Sequence, residues 1–232
     1  MVIRILVEGG AIKSDPTLSA TANNMIAQNS AQLRQALHEF FVKLLEHEDV
    51  DIKVTIAGGN KIGYKQFVEK QMEDVYYTDL DRKPSKRDEW FDAMEADGII
   101  ATPERKEKVF FWIQEMEAWF LKYPQSIADW ISSEGILVKS GNNIAEDEYM
   151  KIQTPEQVEN LQQKPSRIMQ TLFQRYLLSP QNGKDGKPRK LCYGKLRHAP
   201  RIIPFLSPKD ILRKDGELKR FYAFAIDAKR ED

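Results

Sequence analysis

Asp74-Val-Tyr-Tyr-Thr-Asp-Leu-Asp-Arg82 is the stretch of sequence that decides the fold class. Its centre is rich in apolar and β-prone residues, which predicts a buried strand, and the strand ends in the acidic pair Asp79-x-Asp81. The opening stretch 3–8 has the same form and ends in Glu8. In an open α/β sheet the carboxyl ends of the strands meet at one crevice, where ligands bind. We therefore expect Glu8, Asp79 and Asp81 to lie together in that crevice.

Clustered carboxylates of this kind predict a metal site. Two carboxylates a few ångströms apart repel each other, and a divalent cation relieves that repulsion. Their hard oxygen atoms suit Mg²⁺ or Mn²⁺, so Glu8, Asp79 and Asp81 are candidate metal ligands and catalytic residues. Each motif also has a purely structural interpretation. Glu8 can be a surface residue before the Gly9-Gly10 turn, and the two aspartates can cap backbone N–H groups of a turn.

The first 125 residues alternate between strand and helix patterns. Apolar residues recur at helical spacing over residues 33–45, after a loop predicted over residues 9–24. Further strands are predicted at residues 52–56 and 109–113, and further helices over residues 67–72 and from Glu115 onwards. This alternation predicts an α/β fold with a mostly parallel sheet flanked by helices.

The strand signal fades beyond Pro124. Helices are predicted at residues 127–131, 155–161 and 168–177, and the polar, glycine-rich residues 181–190 predict a loop. We therefore expect an α/β domain over residues 1–125. A mainly helical C-terminal part, residues 126–232, is expected to carry a basic stretch and to pack on the first domain.

Glu115 and Glu117 follow the predicted strand at residues 109–113, so either side chain can point into the same crevice. Both glutamates can instead have a purely structural role, because a glutamate in the first turn of a helix is stabilised by the helix dipole.

The charges of this chain are balanced overall and concentrated locally. It has 35 Lys plus Arg and 35 Asp plus Glu among 232 residues, which argues against a globally basic nucleic-acid-binding protein. Residues 184–201, however, contain seven Lys or Arg and one acidic residue, which predicts a local patch that contacts phosphate. Residues 184–190 are equally well interpreted as a solvated basic loop.

Four cations are candidate nucleic-acid ligands. Lys195, Arg197 and Arg201 stand among apolar residues, and we expect them to face the acidic crevice because a half-buried cation needs counter-charge. Lys61 follows Gly58-Gly59 at a strand-to-helix turn, where backbone N–H groups can also meet phosphate. A plain turn is the favoured interpretation at that position.

The sequence also limits where the protein works. Cys192 is the single cysteine, so an internal disulfide and a thiolate zinc site are excluded, which fits a reducing compartment. No apolar stretch approaches the roughly 20 residues that span a bilayer. The N-terminus enters a strand without a basic and apolar leader. We expect a cytoplasmic protein that does not associate with membranes.

Glu8-Gly9 and Asp79-Leu80-Asp81 resemble the acidic motifs of the TOPRIM fold, which topoisomerases, primases and OLD-type nucleases share. More closely, the chain is similar to small TOPRIM-like proteins of bacteria and archaea that are often encoded beside an AAA-type ATPase, in settings suggestive of phage defence. That similarity covers most of the chain, and the segments that carry it are Val7–Gly10, Gly58-Gly59, Met116–Leu121, Lys164–Ser166 and Tyr193–Pro200. The RloB-type proteins have a segment comparable to the one around Glu117, a resemblance that would give Glu117 an acidic role in catalysis. Arg82 and Lys83 stand where the family often has an acidic residue.

The resemblance implies a Mg²⁺-dependent nuclease that acts on nucleic acid, DNA rather than RNA, with an ATPase partner. Glu8, Asp79 and Asp81 would bind one or two metal ions. Glu8 or Glu117 would act as general base or as a ligand of the second metal ion, and Lys195 or Arg197 would neutralise the scissile phosphate. Two alternatives remain open. One is a non-catalytic TOPRIM-like regulatory or sensor subunit of an ATPase complex. The other is a nucleotide-binding or response-regulator-like α/β protein, which no glycine-rich phosphate motif supports.

Overall fold

A four-stranded parallel sheet forms the centre of the protein. The computed structural model describes residues 1–9, 17–141, 143–151, 154–182, 186 and 188–231. The strands are β1 (Val2–Glu8), β2 (Asp51–Ala57), β3 (Val75–Asp79) and β4 (Val109–Trp112), in the order β2-β1-β3-β4. The predicted parallel sheet flanked by helices is confirmed. Because β1 and β3 are adjacent, Glu8 and Asp79 end neighbouring strands.

Helices cover both faces of this sheet and make up most of the C-terminal part. They are α1 (Ala20–Leu44), α2 (Asn60–Lys70), α3 (Arg87–Ala96), α4 (Pro103–Glu107), α5 (Glu117–Lys122), α6 (Gln125–Ser133), α7 (Pro155–Glu159), α8 (Pro165–Tyr176), α9 (Lys195–Ile202), α10 (Pro208–Lys214) and α11 (Gly216–Glu231). In the described part of the chain, no helix combines the length and the apolar character that crossing a bilayer requires.

The alternation of side chains along the strands separates two apolar cores. Tyr77 on β3 faces the larger core, which includes Phe41 of α1 and Phe221 of α11. Tyr76, the preceding residue, faces the smaller core with Phe67 of α2. Successive strand residues point to opposite faces, so a strand buried on both faces reads as a continuous apolar run.

The larger core continues from the sheet into the C-terminal helices. Phe173 of α8 and Ile202 of α9 are fully buried in the same cluster as Leu37 of α1. Helix α9 packs along α1. This packing carries Lys195, the first residue of α9, to the carboxyl edge of the sheet.

Two predicted loops contain regular structure. Residues 20–24, predicted as loop, form the start of α1, because the Ser19 side chain accepts a hydrogen bond from Ala22 N and caps that helix. The prediction of a loop over residues 181–190 was wrong at both ends of that range, which are strands. Strands β5 (Leu178–Asn182) and β6 (Pro188–Lys190) pair there as an antiparallel hairpin, so backbone pairing outweighs the polar composition.

Side chains from two helices cover the outer edge of β4. The carboxylate of Glu217 accepts a hydrogen bond from Phe111 N at 3.1 Å and pairs with Arg87 at 3.1 Å and Arg220 at 2.8 Å. Both arginines also donate to Val109 O. Backbone groups of an edge strand are thus satisfied within the chain, which removes a template for pairing with another chain.

We expect Glu217→Ala to lower the free energy of unfolding by about 3 kcal/mol, because it leaves two arginines and a backbone N–H without their shared acceptor. The side chain of Glu217 is 15% exposed. Chemical denaturation measures this effect. The matched control is Glu69→Gln, since Glu69 pairs with Lys65 on an exposed helix surface and should matter little. Equal stability of the two variants would contradict the edge-covering role.

Candidate functional site

The carboxyl ends of β1 and β3 bring Glu8 and Asp79 together. Glu8 Oε2 accepts hydrogen bonds from Asp79 N at 3.1 Å and from the Thr78 hydroxyl. Asp79 is 6% exposed, and its Oδ1 accepts a hydrogen bond from Met116 N at 2.8 Å. The strand order alone requires this proximity, because adjacent parallel strands end side by side.

Glu117 joins these two residues from the first turn of α5. Its side chain is fully buried, and Oε1 accepts a hydrogen bond from the Tyr193 hydroxyl at 3.0 Å. Oε2 lies 3.7 Å from Lys195 Nζ and has no hydrogen-bond partner among the described residues. Lys195 Nζ also forms an ion pair with Asp79 Oδ2. Glu8, Asp79 and Glu117 are called the acidic cluster below, and Lys195 is its counter-charge.

Asp81 belongs to a second group of charges beside the acidic cluster. Strand β3 ends at Asp79, and Asp81 has a left-handed backbone conformation, with φ at +58°. Its Oδ1 therefore reaches Lys164 Nζ, at 2.5 Å, and not the oxygens of Glu8. Glu115 completes this group, 3.7 Å from Lys164 Nζ, and also accepts a hydrogen bond from Ser166 N at 2.8 Å. The two glutamates after β4 thus point to different groups.

Burial dominates the electrostatics of the acidic cluster. Burial, and then the charge of Asp79, raise the pKa of Glu8 to about 7. Burial also raises the pKa of Asp79 and of Glu117, although Lys195 opposes both shifts. Burial lowers the pKa of Lys195, but Asp79 and Glu117 outweigh it and raise that pKa well above its usual range. The cluster therefore holds a charged ammonium among carboxyl groups whose ionisation burial opposes and Lys195 favours.

We expect the free energy of unfolding in metal-free buffer to fall as pH rises from about 4.5 to about 7, in part because of Glu8. The folded-state pKa of Glu8 lies above its unfolded value, so the folded protein binds the proton more tightly and is stabilised at low pH. Glu8→Gln keeps both accepted hydrogen bonds without the charge. It should flatten the profile and add up to roughly 3 kcal/mol near pH 7.

Denaturation curves at several pH values measure the effect of Glu8→Gln. Glu69→Gln, on an exposed surface, is the control and should leave the profile as it is in the wild type. Profiles that are the same for wild type and Glu8→Gln would mean that the Glu8 carboxylate is as well solvated in the folded protein as in the unfolded chain.

The donor chemistry of the acidic cluster fits Mg²⁺ or Mn²⁺. All of its side-chain donors are hard carboxylate oxygens, and Glu117 Oε2 is a buried acceptor without a hydrogen-bond partner among the described residues. Over the ranges that the structure describes, no three or more Asp, Glu, His or Cys side chains are arranged as a metal site. The ammonium of Lys195 supplies the positive charge in this arrangement.

The four predicted nucleic-acid ligands lie on different surfaces. Lys195 contacts the acidic cluster, but Arg201 pairs with Glu134, and Arg201 and Arg197 line a cavity of about 500 Å³ between α1 and α9. The expectation that Arg197 and Arg201 face the acidic crevice was therefore wrong. Residues two and six positions after Lys195 point to other sides of a helix that turns about 100° per residue. Lys61 pairs with Asp97, 2.5 Å away.

His198 supports the position of Lys195. It is 1% exposed and packs against Tyr193, Phe173 and Trp130. Its Nδ1 accepts a hydrogen bond from Gly194 N at 2.9 Å, and burial lowers the pKa of His198 to about 4. A neutral imidazole therefore holds the backbone directly before α9.

Sequence reasoning did not assign roles to Lys164, Tyr193 or His198. Lys164 and Tyr193 stand in segments that the resemblance had singled out, which was the available signal. Their partners, Asp81 and Glu117, lie more than 70 residues away in the chain. Pairings over such distances leave no periodic trace in a single sequence.

Comparison with known families gives a match over most of the chain. A family model described as "Domain of unknown function (DUF4276)" matches residues 17–224. The matched span includes Asp79, Glu117 and Lys195 and begins after Glu8. No curated protein and no solved structure matches the chain.

Proposed function

The chain belongs to the DUF4276 family, whose description names no activity, and we propose from its own residues that it is a TOPRIM-like nuclease that hydrolyses nucleic-acid phosphodiesters with Mg²⁺ or Mn²⁺. The observation that carries this proposal is the buried acidic cluster at the ends of β1 and β3, where ligands of open α/β sheets bind. Strongly perturbed pKa values cluster at functional sites, and a cleft that holds several such carboxylates is a candidate active site.

The acidic cluster would hold one metal ion, and Asp81 with Glu115 would hold a second where Lys164 now lies. A bound Mg²⁺ supplies Lewis-acid charge and a water of lowered pKa. Glu8 is best matched to accept the proton of the attacking water, because its pKa of about 7 lies near working pH. Lys195, which is 29% exposed, can turn from the carboxylates to a phosphate and neutralise its charge.

The resemblance to TOPRIM proteins supports the remaining parts of the proposal. It favours DNA over RNA as substrate, a role in defence against phage, and an AAA-type ATPase as partner. The proposed compartment is the cytoplasm, where the exposed free thiol of Cys192 stays reduced.

A second candidate function is a non-catalytic regulatory or sensor subunit of such an ATPase. The observation that favours it is the ion pair of Lys195 with Asp79, since Lys195 already neutralises carboxylates that a metal ion would need. Arg197, Arg201 and Lys61 would then contact acidic residues of the partner rather than phosphate.

Cleavage by the purified chain separates the two candidates. Plasmid DNA and single-stranded DNA and RNA are incubated with the protein and Mg²⁺ or Mn²⁺, and the products are resolved on gels. We expect metal-dependent cleavage that a chelator abolishes. Intact substrates with both metals would favour the regulatory subunit.

A further inference from the structure

A polar cavity of about 660 Å³ opens directly beside the acidic cluster. One wall is helix α8, with Arg167, Gln170 and Gln174. The opposite wall is the start of α9, with Gly194 and Lys195. Pockets of several hundred cubic ångströms hold single small-molecule-sized groups.

Helix α8 presents a polar stripe to this cavity. Arg167, Gln170 and Gln174 are spaced three and four residues apart, so they share one face, and the opposite face of α8 is buried through residues such as Ile168 and Leu172. The guanidinium of Arg167 and the amide of Gln170 form no hydrogen bond or ion pair with any described residue. Their donors and acceptors are available to a ligand.

A buried acceptor also points to a ligand in this cavity. Glu117 lines the cavity, is fully buried, and its Oε2 has no hydrogen-bond partner within the described ranges. A buried carboxylate oxygen that lacks a donor costs free energy, and a ligand group or its cation would remove that cost.

The lining matches one nucleotide better than a base pair. Glutamine amides both donate and accept hydrogen bonds, as the edges of unpaired bases and sugar hydroxyls do. A guanidinium can donate two parallel hydrogen bonds to one phosphate group in a bidentate arrangement. The volume suits a nucleoside, whereas a base pair with both of its backbones would have to stay outside.

We infer that this cavity binds an unpaired nucleotide next to the scissile phosphate, so that the substrate is single-stranded or looped at the point of cleavage. The inference rests on the proposed phosphodiester chemistry, because Lys195 belongs to both the cavity and the acidic cluster. Arg167 contacts the neighbouring phosphate, and Gln170 contacts the base or sugar.

Binding of a labelled oligonucleotide to the full chain tests this inference. A single strand of about 12 nucleotides, in the range that single-strand-binding folds cover, is compared with its duplex, with Ca²⁺ replacing Mg²⁺ to slow cleavage. We expect the single strand to bind at least about 10-fold more tightly. Arg167→Ala should weaken its binding roughly 10-fold and reduce the salt slope by about 0.7, the value for one phosphate contact on a single strand. Gln170→Leu should weaken binding about 5-fold without changing the slope.

Gln163→Leu and Arg213→Ala are the matched controls, because both residues are exposed and lie outside the cavity. Duplex binding as tight as single-strand binding, no binding by the wild type, or variants that match these controls would overturn the inference.

Different results would contradict the proposed nuclease function and the proposed nucleotide site. Absence of cleavage by every protein, with the binding pattern intact, refutes the nuclease alone. Cleavage at the wild-type rate by Arg167→Ala and Gln170→Leu would refute the proposed nucleotide site in the cavity and leave the nuclease proposal standing.

Discussion

Lys195→Met is expected to lower the free energy of unfolding by about 3 kcal/mol or more above pH 7 in metal-free buffer. Lys195 forms ion pairs with Asp79 and Glu117, whose side chains are 9% and 0% exposed. Methionine fills a similar volume but leaves these carboxylates buried without a counter-charge, which is among the most destabilising single changes. Thermal melts and denaturant titrations of the variant measure the loss.

Two conditions should restore the stability of Lys195→Met. Burial raises the pKa of Asp79 and Glu117, and Lys195 is the charge that opposes the rise. Without Lys195 the folded state holds these protons still more tightly than the unfolded chain, so stability returns as pH falls. A divalent cation should act similarly at higher pH, and saturation at about 100 times its dissociation constant would add roughly 2.7 kcal/mol.

Lys164→Met is the matched control for this prediction. Lys164 also bridges two carboxylates, but its side chain is 54% exposed, so its ion pairs are screened by water. In metal-free buffer it should change stability little at any pH. Wild-type stability of Lys195→Met at every pH would show that Asp79 and Glu117 are already protonated in the folded protein, and the metal site would then lose its basis.

Asp79→Asn is expected to reduce metal-dependent cleavage by at least 100-fold. Asp79 stands at the centre of the acidic cluster, in contact with both Glu8 and Lys195. Residues that merely support metal ligands change activity roughly 10- to 100-fold, so loss of a ligand should exceed that range. The measurement is the cleavage rate as a function of Mg²⁺ or Mn²⁺ concentration, because a lost ligand also raises the metal concentration that is needed.

Asp92→Asn is the control for the cleavage measurement, since Asp92 is exposed on α3 and outside the acidic cluster. Circular dichroism establishes that both variants are folded. Asp79 accepts a hydrogen bond from Met116 N through Oδ1, and asparagine can keep that bond. Cleavage by Asp79→Asn at the wild-type rate would place the catalytic metal elsewhere, even if the protein proves to be a nuclease.

The parallel sheet and the meeting of Glu8 with Asp79 were predictable from the sequence. Buried strands appear as short apolar runs, and the residues that end them must converge at the carboxyl edge of a parallel sheet. The helix over residues 33–45 was predictable for the same kind of reason, because a periodic apolar face records local geometry. Its true start at Ala20 was missed, since the exposed first turns lack that periodicity.

The partners of each acidic residue depended on contacts between distant parts of the chain. The Asp79-x-Asp81 spacing suggested one shared site, but β3 ends at Asp79, and the left-handed backbone at Asp81 turns its carboxylate towards Lys164. Glu115 and Glu117 were indistinguishable as neighbours in sequence. Only the start of α5 separates them, by burying Glu117 against Tyr193 and leaving Glu115 beside Lys164.

The local sequence pattern was therefore sufficient to predict the main strands and helices. It was also sufficient to predict that the candidate site lies at the carboxyl edge of the sheet. The spacing of apolar residues and the positions of strand ends are properties of short segments, so they can be recognised from neighbouring residues in the sequence. The sequence predicted that Lys195, Arg197 and Arg201 all face the acidic crevice. The packing of α9 along α1 decided that Lys195 reaches the acidic cluster and that Arg201 pairs with Glu134. That packing follows from apolar burial summed over the whole chain, and burial then decides which charges must find a partner.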